Sequence, residues 1–473
     1  LPLKWQKNAG GINMDNKIKY THRYLARFII EAATPLAVGI GDGNIMTDRL
    51  VATDVNGLPY ISGNALAGVL RNAITASVDE NEIDQLFGFQ NKDKGLGSRL
   101  ILSSAQMIGP DGIAIDGIQS VDFNHEFYQN FTELPIRQHV RISHKGASED
   151  RGKFDRQVVY KGTRFCFEME LVGTGDDKQI WNKLLSQFCK PGFRMGGGTR
   201  KGFGEITIPE YREKEIDLTE DLQTYINKTS GLNDSLWNEI TPVTPKPNES
   251  DWIKYEIKLT PDDFFLFGSG FGSGAADMSY VTEKIIIWKN NNGSFSDEKV
   301  LVPASSVKGA LAHRIAFQYN KSAEITAEKI ENEAKATDKT FDEVARTYVG
   351  ENNPAVRKLF GFSANNEDGQ RGNVIFSDLH LNNKANPKLL NHVAIDRFTG
   401  GAMDGAFFSE EVVGSKEPFT LICLVNDGVE QKYLDAFDST LKDLCTGMLP
   451  LGGGSMRGHG CFTGTITKNG KEL

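Results

Sequence analysis

Two stretches of the chain open alike. Apolar and polar positions alternate through Tyr255-Glu256-Ile257-Lys258-Leu259, and the run Arg27-Phe28-Ile29-Ile30 is equally rich in strand formers. Both predict a β-strand. Behind each, the spacing turns helical after Ser62 and Ser305, residues that stand where a helix N-cap is expected. Strands are predicted next over residues 98–103 and 372–376, and again over 162–171 and 418–424. Helices over 178–188 and 432–444 then precede a last Gly-rich loop and strand. The order β, α, β, β, α, β is that of a ferredoxin-like (RRM-like) domain with long loops inserted between its strands. The predicted fold class is α+β, with two such domains in tandem.

The tandem reading rests on four landmarks that occur twice in one order. The first is a strand running into glycines, Gly39-Ile40-Gly41-Asp42-Gly43 and later Gly268 to Gly274. The second is Ser62-Gly63-Asn64-Ala65-Leu66-Ala67-Gly68, matched by Pro303-Ala304-Ser305-Ser306-Val307-Lys308-Gly309. The third is Leu86-Phe87-Gly88, matched by Leu359-Phe360-Gly361. The fourth is Gly196-Gly197-Gly198-Thr199-Arg200-Lys201-Gly202-Phe203-Gly204, matched by Gly452-Gly453-Gly454-Ser455-Met456-Arg457-Gly458-His459-Gly460. The expected layout is an N-terminal tail over 1–20, a first domain over 21–229, a linker over 230–250 containing Pro242, Pro245 and Pro247, and a second domain over 251–473. An Ala/Glu/Lys-rich segment near 322–348 predicts a helical insert in the second copy only.

Composition narrows the function classes. A net charge of −9 argues against a protein that grips nucleic acid over its whole surface. Between Arg137 and Arg164, however, eight basic residues face three acids, a local footprint of phosphate contact or else a solvated charged hairpin. The five cysteines form no CxxC pair, so neither a disulfide framework nor a zinc site is suggested. No apolar run is long enough to span a bilayer and no start resembles a signal peptide, so a cytoplasmic protein without a membrane partner is expected.

The repeated motifs suggest where chemistry sits. Glycines let a backbone approach a ligand and present N–H groups, so Gly197, Gly198, Gly453 and Gly454, with the cations Arg200, Lys201 and Arg457, suit a sugar-phosphate backbone. Two tight turns closing strands would look the same in sequence. A P-loop is excluded because no Gly-Lys-Ser/Thr has the required spacing. The helix starts at Ser62, Asn64, Ser305 and Ser306, with Arg71 and Lys308 within those helices, suit an anion or ordinary capping.

These residues resemble the RAMP superfamily, and within it the Cas-seven backbone subunits of type III CRISPR effector complexes, with a III-D-like tandem fusion. The resemblance covers nearly the whole chain apart from the tail, the linker and the helical insert. It implies RAMP domains, each with a thumb-like insertion: Asp396-Arg397 onward in copy two, and His139-Val140-Arg141-Ile142 opening the region that holds Lys145 in copy one. It further implies guide RNA, complementary target RNA and other effector subunits as partners, and cleavage of the target by a loop aspartate. Asp48, with Asp54 after it, and Asp277, with Glu283 after it, match that position, and Asp42 competes with Asp48. The implied activity is a metal-dependent endoribonuclease, with Mg²⁺ held at Asp48 and Asp277. Two alternatives stay open: a scaffold without chemistry, and a repeat-RNA processing endoribonuclease, for which His22 and His313 are isolated. No cluster with ligand spacing suggests a metalloenzyme of another kind.

Overall fold

The computed structural model describes residues 20–473 except 40, 42, 45–46, 93, 144–145, 245–250, 363–368 and 383–385. The expected tail over 1–19, part of the expected linker, Asp42 and Lys145 lie outside the described residues.

The main elements of the first half are β1 (His22–Ala32), α1 (Gly63–Ile74), β2 (Leu100–Leu102), a hairpin of β3 (Ile136–Ile142) and β4 (Ser148–Gln157), β5 (Arg164–Gly173), α2 (Lys178–Gln187) and β6 (Ile206–Asp217). The second half repeats them as β7 (Trp252–Pro261), α3 (Ala304–Ser322), β8 (Val374–Phe376), a hairpin of β9 (Asn386–Ile395) and β10 (Ala402–Gly414), β11 (Phe419–Asn426), α4 (Gln431–Cys445) and β12 (Phe462–Lys468). The sheets have the orders β2-β5-β1-β6 and β8-β11-β7-β12, and every neighbouring pair is antiparallel. In each half the third strand therefore inserts between the first and second, and the long hairpin is an excursion before that third strand.

Period-two alternation explains the cores. Tyr24, Ala26, Phe28 and Ile30 point to one face of β1, where Leu66, Leu70, Trp181 and Leu184 of the two helices cover them. Tyr255, Ile257 and Leu259 do the same against Val307, Leu311, Phe437 and Leu441. The opposite face differs between the halves. Leu25 is buried there with Ile216 and Trp237, because residues 218–244 fold back over the first sheet as two short helices, Leu222–Asn227 and Leu236–Glu239. The stretch read as a linker thus carries a buried anchor, Trp237, which is 2 % exposed.

The halves interlock. A hairpin of the second half, Ile286–Lys289 with Asn292–Phe295, reaches into the first. Phe295 packs against Phe127, Phe131 and Tyr160 at ring separations of 5.4, 5.7 and 5.0 Å, and Trp288 Nε1 donates to the Gly162 carbonyl at 2.7 Å. Gly162 has a φ of +88°, and a Cβ there would strike the Ile286 backbone, so only glycine admits the arm. Nearby, Arg137 of β3 is buried against Glu283, with Nη2 donating to Oε2 at 2.7 Å and Nη1 lying 3.2 Å from Asp378. Burial opposes the charge of Glu283, but the guanidinium and His380 hold its carboxyl below the usual range.

Two sequence expectations change here. The N-cap of α3 is Pro303 rather than Ser305, which lies in the first turn. Proline has no side-chain acceptor, and Asp378 Oδ1 takes the Ala304 N–H instead, at 2.8 Å. Glu283, read as an acid accompanying Asp277, is 6 % exposed and spent on Arg137 and His380. The insert after α3 is helical, with Ala327–Thr337 and Phe341–Ala345.

Candidate nucleic-acid interface

Pairing registers equate the two hairpins residue by residue. His139 lies opposite Phe154, and His392 lies opposite Phe408. Each pair is stacked, at 4.8 and 4.7 Å. Asp155 therefore corresponds to Ser409, and Arg156 to Glu410. The loop acids dock on these strands in matching ways. Asp48 Oδ2 accepts the N–H of Asp155 at 2.9 Å, and Asp277 Oδ2 accepts the N–H of Ser409 at 2.8 Å. The next carbonyls, of Arg49 and Met278, accept from Gln157 and Glu411 at 2.9 and 2.8 Å. Asp48 and Asp277 are thus equivalent positions, each at the foot of a hairpin. Backbone and hydroxyl donation from Ser409 holds the Asp277 carboxyl below the usual carboxylate range.

The Gly-rich loop of the first half meets the start of α3. Gly202 has a φ of +108°, and a Cβ on it would run into Ala304 and Asp378, so the approach requires glycine. Arg200 crosses the seam to donate from Nε to the Gly372 carbonyl at 2.8 Å and lies over the Trp252 ring at 5.6 Å. Lys201 sits over Phe154 at 4.3 Å, and Lys308 of α3 over Phe360 at 5.5 Å. Burial, then the neighbouring Arg156, Arg141 and Arg49, push Lys201 down to about 8. Burial, then Lys201 and Arg200, push Lys308 to about 8 as well. A cluster of cations of this kind can accept an anion. Ser305 and Ser306 occupy the first turn of α3 on this seam.

Other sequence candidates lie apart. Ser62 caps α1 by accepting the Ala65 N–H at 3.3 Å, with Asn64 exposed beside it. Arg71 sits at the far end of that helix and is held by Asp84 at 2.9 Å and the Gly88 carbonyl, because the neighbouring helix Glu80–Phe87 brings an acid to it. Asp54 closes a turn by accepting from Asn56 and Leu58. Arg141 is exposed near the tip of the first hairpin, and Arg397 follows Asp396, whose Oδ1 accepts from Phe398 and Thr399 to set the tip of the second. Gly197 and Gly198 line the first loop against Arg156, while Gly453 and Gly454 line the second. Arg457 lies over Phe408 at 5.3 Å, as Lys201 does over Phe154, but it is also paired with Glu410 at 2.6 Å.

Among the described residues no group of three or more His, Cys, Asp or Glu is placed to hold a metal ion. Asp48 and Asp277 each bring one carboxylate. Mg²⁺ commonly takes one or two carboxylates and fills its shell with water and substrate phosphate, so these residues fit the ion only together with a bound phosphate.

Sequence reasoning missed His139, Phe154, Arg156, His392 and Glu410 as partners of the glycine loops. One signal was present: the dipeptide His-Val occurs at 139–140 and again at 392–393, at the same point in each half. No described helix is long and apolar enough to cross a membrane. A search of curated proteins returns no match. A sequence model of one family, the RAMP superfamily, matches residues 29–207 and again 283–463.

Proposed function

The chain belongs to the RAMP superfamily, twice over, and on that premise we propose that it is a double backbone subunit of a type III CRISPR ribonucleoprotein. In this reading each half is a ferredoxin-like domain, a view the antiparallel strand orders support. The cationic seam holds guide RNA, the hairpins act as thumbs, and complementary target RNA is cut beside each thumb. The observation that carries the reading is the equivalent docking of Asp48 and Asp277 at the feet of the two hairpins.

RNA carries its own nucleophile. If a thumb kinks the target so that the 2′-oxygen, the phosphorus and the 5′-oxygen lie in line, orientation supplies much of the acceleration. The O2′–P bond forms, the P–O5′ bond breaks, the 2′-hydroxyl gives up its proton and the 5′-oxygen gains one. The products carry a 2′,3′-cyclic phosphate and a 5′-hydroxyl. Asp277, held below the usual range, is a weak proton acceptor at neutral pH. Positioning water and phosphate suits it better. Mg²⁺, when bound, would stabilise charge developing on the phosphate.

The test is cleavage of guide-complementary RNA by the assembled complex in Mg²⁺, with product ends mapped. Asp48→Ala and Asp277→Ala should each abolish one cut while RNA binding persists. A double variant that still makes every cut would overturn the catalytic assignment. One observation favours the scaffold reading in that event: both carboxylates already fasten their loops to the hairpins.

A further inference from the structure

The two hairpin feet share a plan and differ in the sign of one residue. In the second half, Glu410 is fully buried and gathers three donors: Arg457 Nη2 at 2.6 Å, His392 Nε2 at 2.9 Å and His459 Nε2 at 3.1 Å. Its carboxylate is a built-in anion at the centre of a basic cluster. The first half keeps much of this frame. His139 stands for His392, Phe154 for Phe408, Lys201 for Arg457, and Phe203 for His459. At the position of the carboxylate, though, it has Arg156.

Arg156 is 7 % exposed, and its Nε and Nη1 have no hydrogen-bond partner, nor has Nε2 of the adjacent His139. Its guanidinium lies against Gly197 and Gly198 of the glycine loop and over Phe203 at 6.0 Å. Buried donors left unpaired are costly, more so when charged. Of the described acids at this foot, Asp155 turns its Oδ1 to the Asp48 N–H at 2.7 Å, and Asp48 turns its Oδ2 to the Asp155 N–H at 2.9 Å. Glu283 and Asp378 face Arg137 across the seam.

We infer that Arg156, with His139 and Lys201 around it, forms a seat for one phosphodiester oxyanion, and that Glu410 fills the corresponding seat of the second half with a carboxylate of the chain itself. The ligand is a backbone phosphate of a single strand, and the chain takes it tightly at one foot and not at the other. This deepens the RNA-binding reading and rests on it. It adds that the two thumbs are unequal in what their feet can hold. It also makes the second foot a site that binds only after Arg457 is released from Glu410.

The experiment uses the full chain and a fluorescein-labelled uridine 12-mer, with anisotropy titrations across a range of salt. Arg156→Gln should weaken binding about tenfold and reduce the log–log salt slope by about 0.7, the share of one single-strand phosphate. Arg156→Lys should recover most of the affinity. Glu410→Gln should do the reverse of Arg156→Gln, tightening binding and steepening the slope by a similar amount as Arg457 becomes available. A thymidine 12-mer of DNA should respond to Arg156→Gln as RNA does, because the phosphate is common to both. Unchanged affinity and slope in folded Arg156→Gln would overturn the seat. Loss confined to RNA would overturn the phosphate assignment. If Arg156→Gln fails to fold, Glu410→Gln decides, and weaker binding there would sink the inference. A wild-type chain that binds neither strand would instead refute the RNA-binding reading itself.

Discussion

Lys201 and Lys308 come from different halves, 107 positions apart in number, and Lys201 still helps to lower Lys308; both stand near 8. A bound phosphate favours the ammonium and raises both values. Below pH 8 the free lysines are already charged, so binding needs no proton. Above it, binding must take protons up, and affinity falls until the pKa of the bound form is reached. RNA affinity of the full chain should therefore be flat up to about pH 7.5 and decline over roughly the next two units, given an ordinary lysine near 10.4. Replacing both residues by arginine should flatten the profile, because guanidinium does not titrate there. A profile that falls equally in the Lys201→Arg, Lys308→Arg double variant would place the titrating group elsewhere. Neither lysine's depression was legible in the sequence. Each motif showed a cation beside glycine or serine, but their meeting depends on Gly202 admitting Ala304 and Asp378.

Among the elements, strands and helices were legible wherever period two or helical spacing was sustained, as in β7 and α4. The hairpins were legible only in part. Their polar, charged strands carry little periodicity, and residue 156 can be equated with 410 only through hydrogen-bond register. Part of the expected linker, residues 230–244, carries Pro242 and many polar residues, while one tryptophan supplies the packing. Trp237 covers Leu25 and Ile216, and Arg212 reaches its carbonyl. Trp237→Ala should cost about 3–5 kcal/mol of stability, as large aromatic truncations do. Urea unfolding of the full chain checks this, and a loss within 0.5 kcal/mol, typical of surface changes, would show that the segment does not seal the sheet.

On the scale of the whole molecule, a net charge of −9 coexists with a seam where Arg200, Lys201 and Lys308 meet. The same seam joins the halves through Arg137, whose loss would leave Glu283 buried without its cation. Arg137→Met should cost about 3–5 kcal/mol for that reason, and pairing it with Glu283→Gln should return part of the loss in a double-mutant cycle. A chain cleaved at a protease site placed within 245–250 should still migrate as one particle in size exclusion, held by the arm over 286–295. Two separate peaks would mean that Phe295 contributes little. The arm also sets a schedule. A ribosome delivers the last strand of the first sheet about 70 residues before it delivers Ile286, an interval on the order of 3–14 s. Through that interval Phe127, Phe131 and Tyr160 wait for a ring that has not yet been made, so the first half reaches its final form only when the second has begun.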